Sequence, residues 1–213
     1  WRERAERGDA AAQRALGDAY FVGLVGETNV AAAMEWWERA AASGDRKARL
    51  SLARCLMDGA GVPVNLQAAL THSLALAEGG DAEGQHLTGL IYFRAANPAS
   101  AGRWFRKAAE AGHPAAMHNL ARLLRKGEGV VMSGREAMEW YQKAALAGYA
   151  PSQFNLGQLY LEGVVTPRNP GEAVRWMRSA AEQGFGPAEY NLGVACENGV
   201  GLPRNPAEAV RWY

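Results

Sequence analysis

The chain has 213 residues, 48% hydrophobic and 21% charged, a folded composition that excludes a disordered polymer. Its formal net charge of +1 excludes the strong pull toward nucleic acid or anionic membrane that a basic domain exerts. No run resembles a transmembrane span or a signal peptide.

Trp1 to Gly8 reads as the end of a helical segment, and Gly8 opens a series. Gly44, Gly80, Gly112, Gly148 and Gly184 follow at steps of 36, 36, 32, 36 and 36 residues, a period that marks stacked supersecondary units. The first unit, about 9–44, has a helical set Leu16/Gly17/Tyr20 at i, i+1, i+4 spacing, which shares one face. A stop follows at Gly23, then an N-cap at Asn29 and a second helix carrying Trp36-Trp37 and Ala40-Ala41. The second unit, about 45–80, repeats this with Leu52/Ala53/Leu56, Gly59 and Asn65, but places His72-Ser73 where the aromatic pair stands elsewhere.

The third unit, about 81–112, is irregular. Thr88 replaces the leucine beside Gly89, the loop is four residues short without its glycines, and Asn97-Pro98 starts the helix of Trp104-Phe105. A bend or a loose join is expected between about 70 and 97. The fourth unit, about 113–148, carries Leu120/Ala121/Leu124, Gly127, Ser133 and Trp140-Tyr141. The fifth, about 149–184, carries Leu156/Gly157/Tyr160, Gly163, Asn169-Pro170 and Trp176-Met177. Residues 185–213 form a truncated sixth unit with Leu192/Gly193/Cys196, Gly199, Asn205-Pro206 and Trp212-Tyr213. Recurrent glycine inside these helices predicts close helix contact, since an interior glycine otherwise costs about 1 kcal/mol. Both ends fall inside a unit, so the chain is expected to be part of a longer protein, with self-association through exposed end repeats as one expectation.

This pattern resembles the Sel-one-like repeat family, a relative of the tetratricopeptide repeat. The match is close from Asn155-Leu156-Gly157-Gln158-Leu159-Tyr160 through Gly163, Asn169, Ala173 and Trp176 to Ala180-Ala181-Glu182-Gln183-Gly184, and Asn191 to Tyr213 matches again. The resemblance implies one all-α domain over 1–213, a right-handed α/α superhelix of helix-turn-helix units whose first helices line a concave groove. It implies a non-catalytic scaffold for protein–protein interaction, with no active site, cofactor or metal. Bacterial signalling, secretion-linked or cell-envelope roles are expected on the same ground, in the cytoplasm or the periplasm.

With the core positions assigned, the leftover face of each first helix predicts the partner-binding stripe. It reads Arg14, Asp18 and Phe21, then Leu50, Arg54 and Met57, then His86, Leu90 and Phe93. It continues with His118, Arg122 and Arg125, then Phe154, Gln158 and Leu161, then Tyr190, Val194 and Glu197. Aromatic and apolar residues interleaved with Arg suit recognition. The partner-binding residues are taken to be Arg54, Met57, His86, Leu90, Phe93, His118, Arg122, Arg125, Phe154, Gln158, Leu161 and Tyr190. The basic middle, with His118 counted when protonated, predicts an acidic peptide segment with an apolar anchor beyond it. The second helices present mixed charge instead, as at Glu35, Arg39, Glu139 and Arg175.

Competing chemistries are weaker. The Gly59-Ala60-Gly61, Gly127-Glu128-Gly129 and Gly199-Val200-Gly201 runs follow helices and lack the third glycine of a phosphate loop, so they read as helix stops. His86 and His118 share a repeat position but lack a third metal ligand at that spacing. No serine has a histidine or lysine neighbour in sequence at activating spacing, which disfavours the β-lactam-related activity associated with some relatives. RNA reading by a helical repeat is disfavoured by the near-zero charge. Cys55 and Cys196 lie four repeats apart and read as buried small hydrophobes.

Overall fold

The computed structural model describes residues 1–213 and is entirely helical, with no strand. In chain order the helices are α1 (Arg2–Glu6), α2 (Ala10–Val22), α3 (Val30–Ala42), α4 (Arg46–Asp58), α5 (Leu66–Ala77), α6 (Ala82–Arg94) and α7 (Pro98–Glu110). They continue with α8 (Pro114–Lys126), α9 (Gly134–Leu146), α10 (Ala150–Glu162), α11 (Pro170–Ala181), α12 (Gly186–Asn198) and α13 (Pro206–Trp212). No helix is long and apolar enough to cross a membrane. The repeats group into two compact structural units, the first Trp1–Trp104 and the second Phe105–Tyr213.

Caps fix where each helix starts and stops. The side-chain oxygens of Asn29, Asn65 and Asn97 in the first unit, and of Ser133, Asn169 and Asn205 in the second, accept an amide three residues on, at 3.0–3.2 Å. The even-numbered helices of the first unit have a second set of caps that the residue pattern did not reveal. Asp9, Asp45 and Asp81 accept from Ala12, Ala48 and Gly84 at 2.9, 2.8 and 2.7 Å. In the second unit His113 Nδ1 accepts from Ala116 at 3.2 Å, while Tyr149 and Phe185 make no side-chain cap and a proline at the first or second position takes over.

The shortened α6–α7 loop closes differently from the others. Ala96 adopts φ 54°, the single left-handed non-glycine residue in the chain. An alanine there costs about 1–2 kcal/mol, which glycine would relieve at the expense of greater unfolded-state freedom. Ala96→Gly is therefore expected to raise stability by about 0.5–1 kcal/mol, read as a higher urea midpoint at unchanged slope.

Packing within each unit follows the aromatic-against-small rule. In the first unit a Cβ on Gly17 would lie 2.6 Å from the Trp37 ring. In the second, one on Gly157 would lie 2.9 Å from Met177, and one on Gly193 would lie 2.8 Å from Tyr213. The second residue of each pair is core: Trp37, Phe105, Tyr141 and Met177 are buried. The first residue is not uniformly so. Trp36 and Trp176 are half-buried at the surface and stack under Arg39 and Arg175.

A buried glutamine ties consecutive helices together. Gln13 and Gln85 in the first unit, and Gln153 in the second, donate Nε2 to the carbonyls of Ala5, Ala77 and Ala145 at 3.1–3.2 Å. Each lies eight residues after its acceptor, so the bond crosses from the end of one helix to the start of the next. Arg49 does the same to Ala41. In the second unit, Arg106 and Arg178 bridge to Glu136 and Glu208 on the next odd-numbered helix at 2.7 and 2.9 Å. These guanidiniums hold both carboxyls below the usual glutamate range.

Candidate partner-binding faces

In the first unit, α2, α4 and α6 carry the expected stripe. Arg54 is exposed and ion-paired to Glu83. Met57 and Leu90 are half-buried and pack on the cluster of Leu50, Leu56, Leu87 and Ile91. His86 and Phe93 are half-buried. Leu50 is a correction: at 7% exposure it belongs to that core, because its side chain points into the α4–α6 packing and not to solvent. Arg14, Asp18 and Phe21 are half-exposed, and Asp18 accepts both Arg14 (3.1 Å) and Trp37 Nε1 (2.9 Å).

In the second unit, α8, α10 and α12 carry the rest. Arg122 is half-buried, and Arg125 is exposed and paired with Glu162 at 2.7 Å. Phe154 is half-buried, its ring 5.6 Å from Phe185 and packed against the α11–α13 core. Gln158 and Leu161 are half-exposed. Tyr190 is 61% exposed, with one side against Tyr213 at 5.9 Å.

His118 is the second correction. Its ring sits between Tyr141 and Tyr149, each 5.4 Å away and edge-on, and Nδ1 lies 2.9 Å from the Ser152 hydroxyl. Burial, reinforced by the Arg122 charge, pushes its pKa down to about 4. It is therefore neutral at pH 7 and adds no charge to the basic middle of the stripe, which rests on Arg122 and Arg125. The same contact is a serine–histidine pair brought together over 34 residues of sequence. Ser152 has no exposed surface, so no substrate reaches its hydroxyl, and the pair serves to join α8 to α10. Cys55 and Cys196 are both free and buried, and burial raises both thiols.

The glycine-rich turns show how the helices stop. Gly59, Gly127, Gly163 and Gly199 are left-handed at φ 68–72° and cap α4, α8, α10 and α12. The second glycine has a separate role in the last turn: Gly201 lies directly against the Pro170 carbonyl at the start of α11.

Comparison with known proteins agrees with this architecture. Residues 10–45, 47–81, 82–113, 114–149, 150–185 and 186–213 each match the Sel1 repeat. A protective antigen of uropathogenic Escherichia coli strains, described as displaying an SLR fold, superposes with a TM-score of 0.85. It is 30% identical over 99% of this chain and 46% of its own. A Sel1 repeat protein from Oxalobacter formigenes gives a TM-score of 0.81 at 26% identity, over 95% of this chain and 83% of its own. Chitin synthase regulatory factor 4 of Schizosaccharomyces pombe is 31% identical over 118 residues, 54% of this chain. This chain thus spans 46% of the E. coli antigen's length and 19% of the S. pombe factor's. The chain belongs to the Sel1 repeat family, whose repeats generally mediate contacts between proteins.

Proposed function

We propose that this chain is a non-catalytic scaffold whose even-numbered helices hold a segment of a partner protein. The segment is acidic where it meets Arg122 and Arg125 and apolar where it meets Leu161 and Tyr190. The observation that carries the reading is the composition of this face in the second unit. Two guanidiniums stand on α8, Arg125 sharing its charge with Glu162 of α10, and apolar and aromatic side chains stand half-exposed on α10 and exposed on α12. A purely solvated face would be charged throughout, like the odd-numbered helices with exposed Glu35, Arg39, Glu139 and Arg175. The S. pombe relative carries the name of a regulatory factor, which is consistent with a binding role.

The test compares wild type with a double variant, Arg122→Glu plus Arg125→Glu, in capture from a native lysate, followed by titration of the captured partner. A loss of about tenfold or more in affinity is expected, since each reversal turns attraction into repulsion of an acidic segment. Unchanged affinity would place the interface elsewhere on the molecule.

A further inference from the structure

The first unit contains an apolar recess of about 390 Å³ where α2, α3 and α4 meet, floored by Phe21, Trp37 and Cys55. The Phe21 and Trp37 rings are 5.3 Å apart at 45°. The polar atoms of the floor are satisfied, since Trp37 Nε1 donates to Asp18 and Cys55 Sγ to the Ala60 carbonyl. The second unit contains an apolar recess of about 250 Å³ where α10, α11 and α12 meet, lined by Leu161, Met177, Ala195 and Val200. The two are the same place in the repeat. A shift of 140 residues converts Phe21, Trp37, Cys55 and Ala60 into Leu161, Met177, Ala195 and Val200.

One lining position is small at both of these junctions and large in the repeats between them. It holds the small residues Cys55 and Ala195 at these two junctions. At the equivalent position in intervening repeats stand Ile91 and Leu159, at 0% and 2% exposure. Leu123 occupies the same register and is also buried, and these branched side chains are larger than Cys55 and Ala195. An unfilled apolar recess forfeits dispersion contacts along its lining, and the chain carries at Ile91 and Leu159 the residues that would close it.

The surroundings define the occupant. Charges at the first recess are already partnered: Asp18 with Arg14, Asp58 with Arg94, and Arg54 with Glu83. They ask nothing of a ligand inside, which must be apolar. Beside the recess, sharing Asp18, Ser51 and Arg54 with it, lies a shelf with Arg14, Arg46 and Lys47. Arg46 is paired with Asp81, whereas the exposed Lys47 ammonium has no carboxylate partner. The second recess is smaller than the roughly 300–1,000 Å³ typical of small-molecule sites and matches a single side chain.

The geometry points to two anchor pockets for a polypeptide partner. The pocket of the first unit takes an aromatic side chain flanked by a carboxylate that meets Lys47, and the pocket of the second unit takes an aliphatic side chain. This deepens, and rests on, the reading that the even-numbered helices bind a partner segment.

The probe is a random-sequence peptide library displayed on phage and selected on the full chain. Enriched peptides are then titrated against wild type, Cys55→Ile, Ala195→Leu and Lys47→Glu. Ile and Leu are residues this chain already uses at that position, and Cys55→Val serves as a smaller filling should isoleucine strain the site. Enrichment of aromatic residues beside Asp or Glu is expected. Cys55→Ile should weaken these peptides by about tenfold or more with an unchanged or raised thermal midpoint, and Lys47→Glu by several-fold. Ala195→Leu should do the same to peptides with an aliphatic anchor. Unchanged affinity in the filled variants, with loss on Arg122→Glu plus Arg125→Glu, would overturn the pockets and leave the face-binding reading intact. Binding that survives all of these changes, or no enrichment at all, would overturn both.

Discussion

Replacing Gly201 by alanine is expected to destabilise the C-terminal repeat by about 3–4 kcal/mol. Two independent costs combine. Gly201 has φ +76°, where an L side chain costs about 1–2 kcal/mol. The new methyl would also overlap the Pro170 carbonyl and approach Val174 Cγ2 to 3.0 Å. The obstacle is backbone at a capped helix start, so it does not swing aside as a flexible side chain would. Gly184→Ala separates the two costs. Gly184 has φ +77°, and a methyl added there meets nothing within 4 Å, so it suffers the conformational cost alone. The difference between the variants, about 2 kcal/mol, is the contact. Because a repeat array opens locally, the readout is hydrogen exchange at α11–α13 amides alongside urea unfolding. Equal exchange in the two variants would mean that the turn shifts away from α11 at little cost.

Stability is expected to fall by up to about 3 kcal/mol as pH drops from about 6.5 to about 4, through His118. The unfolded chain protonates this imidazole near its ordinary 6.5, whereas the folded protein resists until about 4. Between those values the unfolded state binds more protons, so acid favours unfolding. The contribution is complete above 6.5 and is lost as pH falls toward the folded pKa. Urea midpoints at neutral pH and near the lower limit, in wild type and His118→Gln, isolate the effect from the carboxylates that also titrate. The variant should lose some stability at neutral pH and show a shallower slope in acid. A slope unchanged by the substitution would show that His118 is reached by water before global unfolding.

The repeat was legible in the sequence because its signals are local. A glycine that must be left-handed, an asparagine that must cap and a proline at a helix start each act within a few residues. Gly23, Asn65 and Pro170 therefore read correctly without knowledge of the fold. The inter-helix details were less visible. The Gln153–Ala145 and Gln85–Ala77 bonds use a residue that also suits a solvent-facing helix position, so nothing in its type announces burial. His118 looked like a stripe residue because its periodicity is right. What removes it from the face is the pair Tyr149 and Ser152, more than 30 residues away in sequence. The recesses were invisible to a residue-by-residue reading, because they depend on how side chains from three helices, such as Phe21, Trp37 and Cys55, combine in size.

The glutamine bond between consecutive helices has a mechanical consequence. Across the α9–α10 seam Gln153 grips the Ala145 carbonyl, but at the α11–α12 seam its counterpart is Glu189, whose carboxylate has no hydrogen to offer the matching carbonyl of Ala181. Under tension applied at Tyr213, the α11–α12 seam is the weaker latch. Its release, together with that of the Arg178–Glu208 bridge, would free Gly186 to Tyr213 as about 100 Å of slack chain while the latch at α9–α10 still holds.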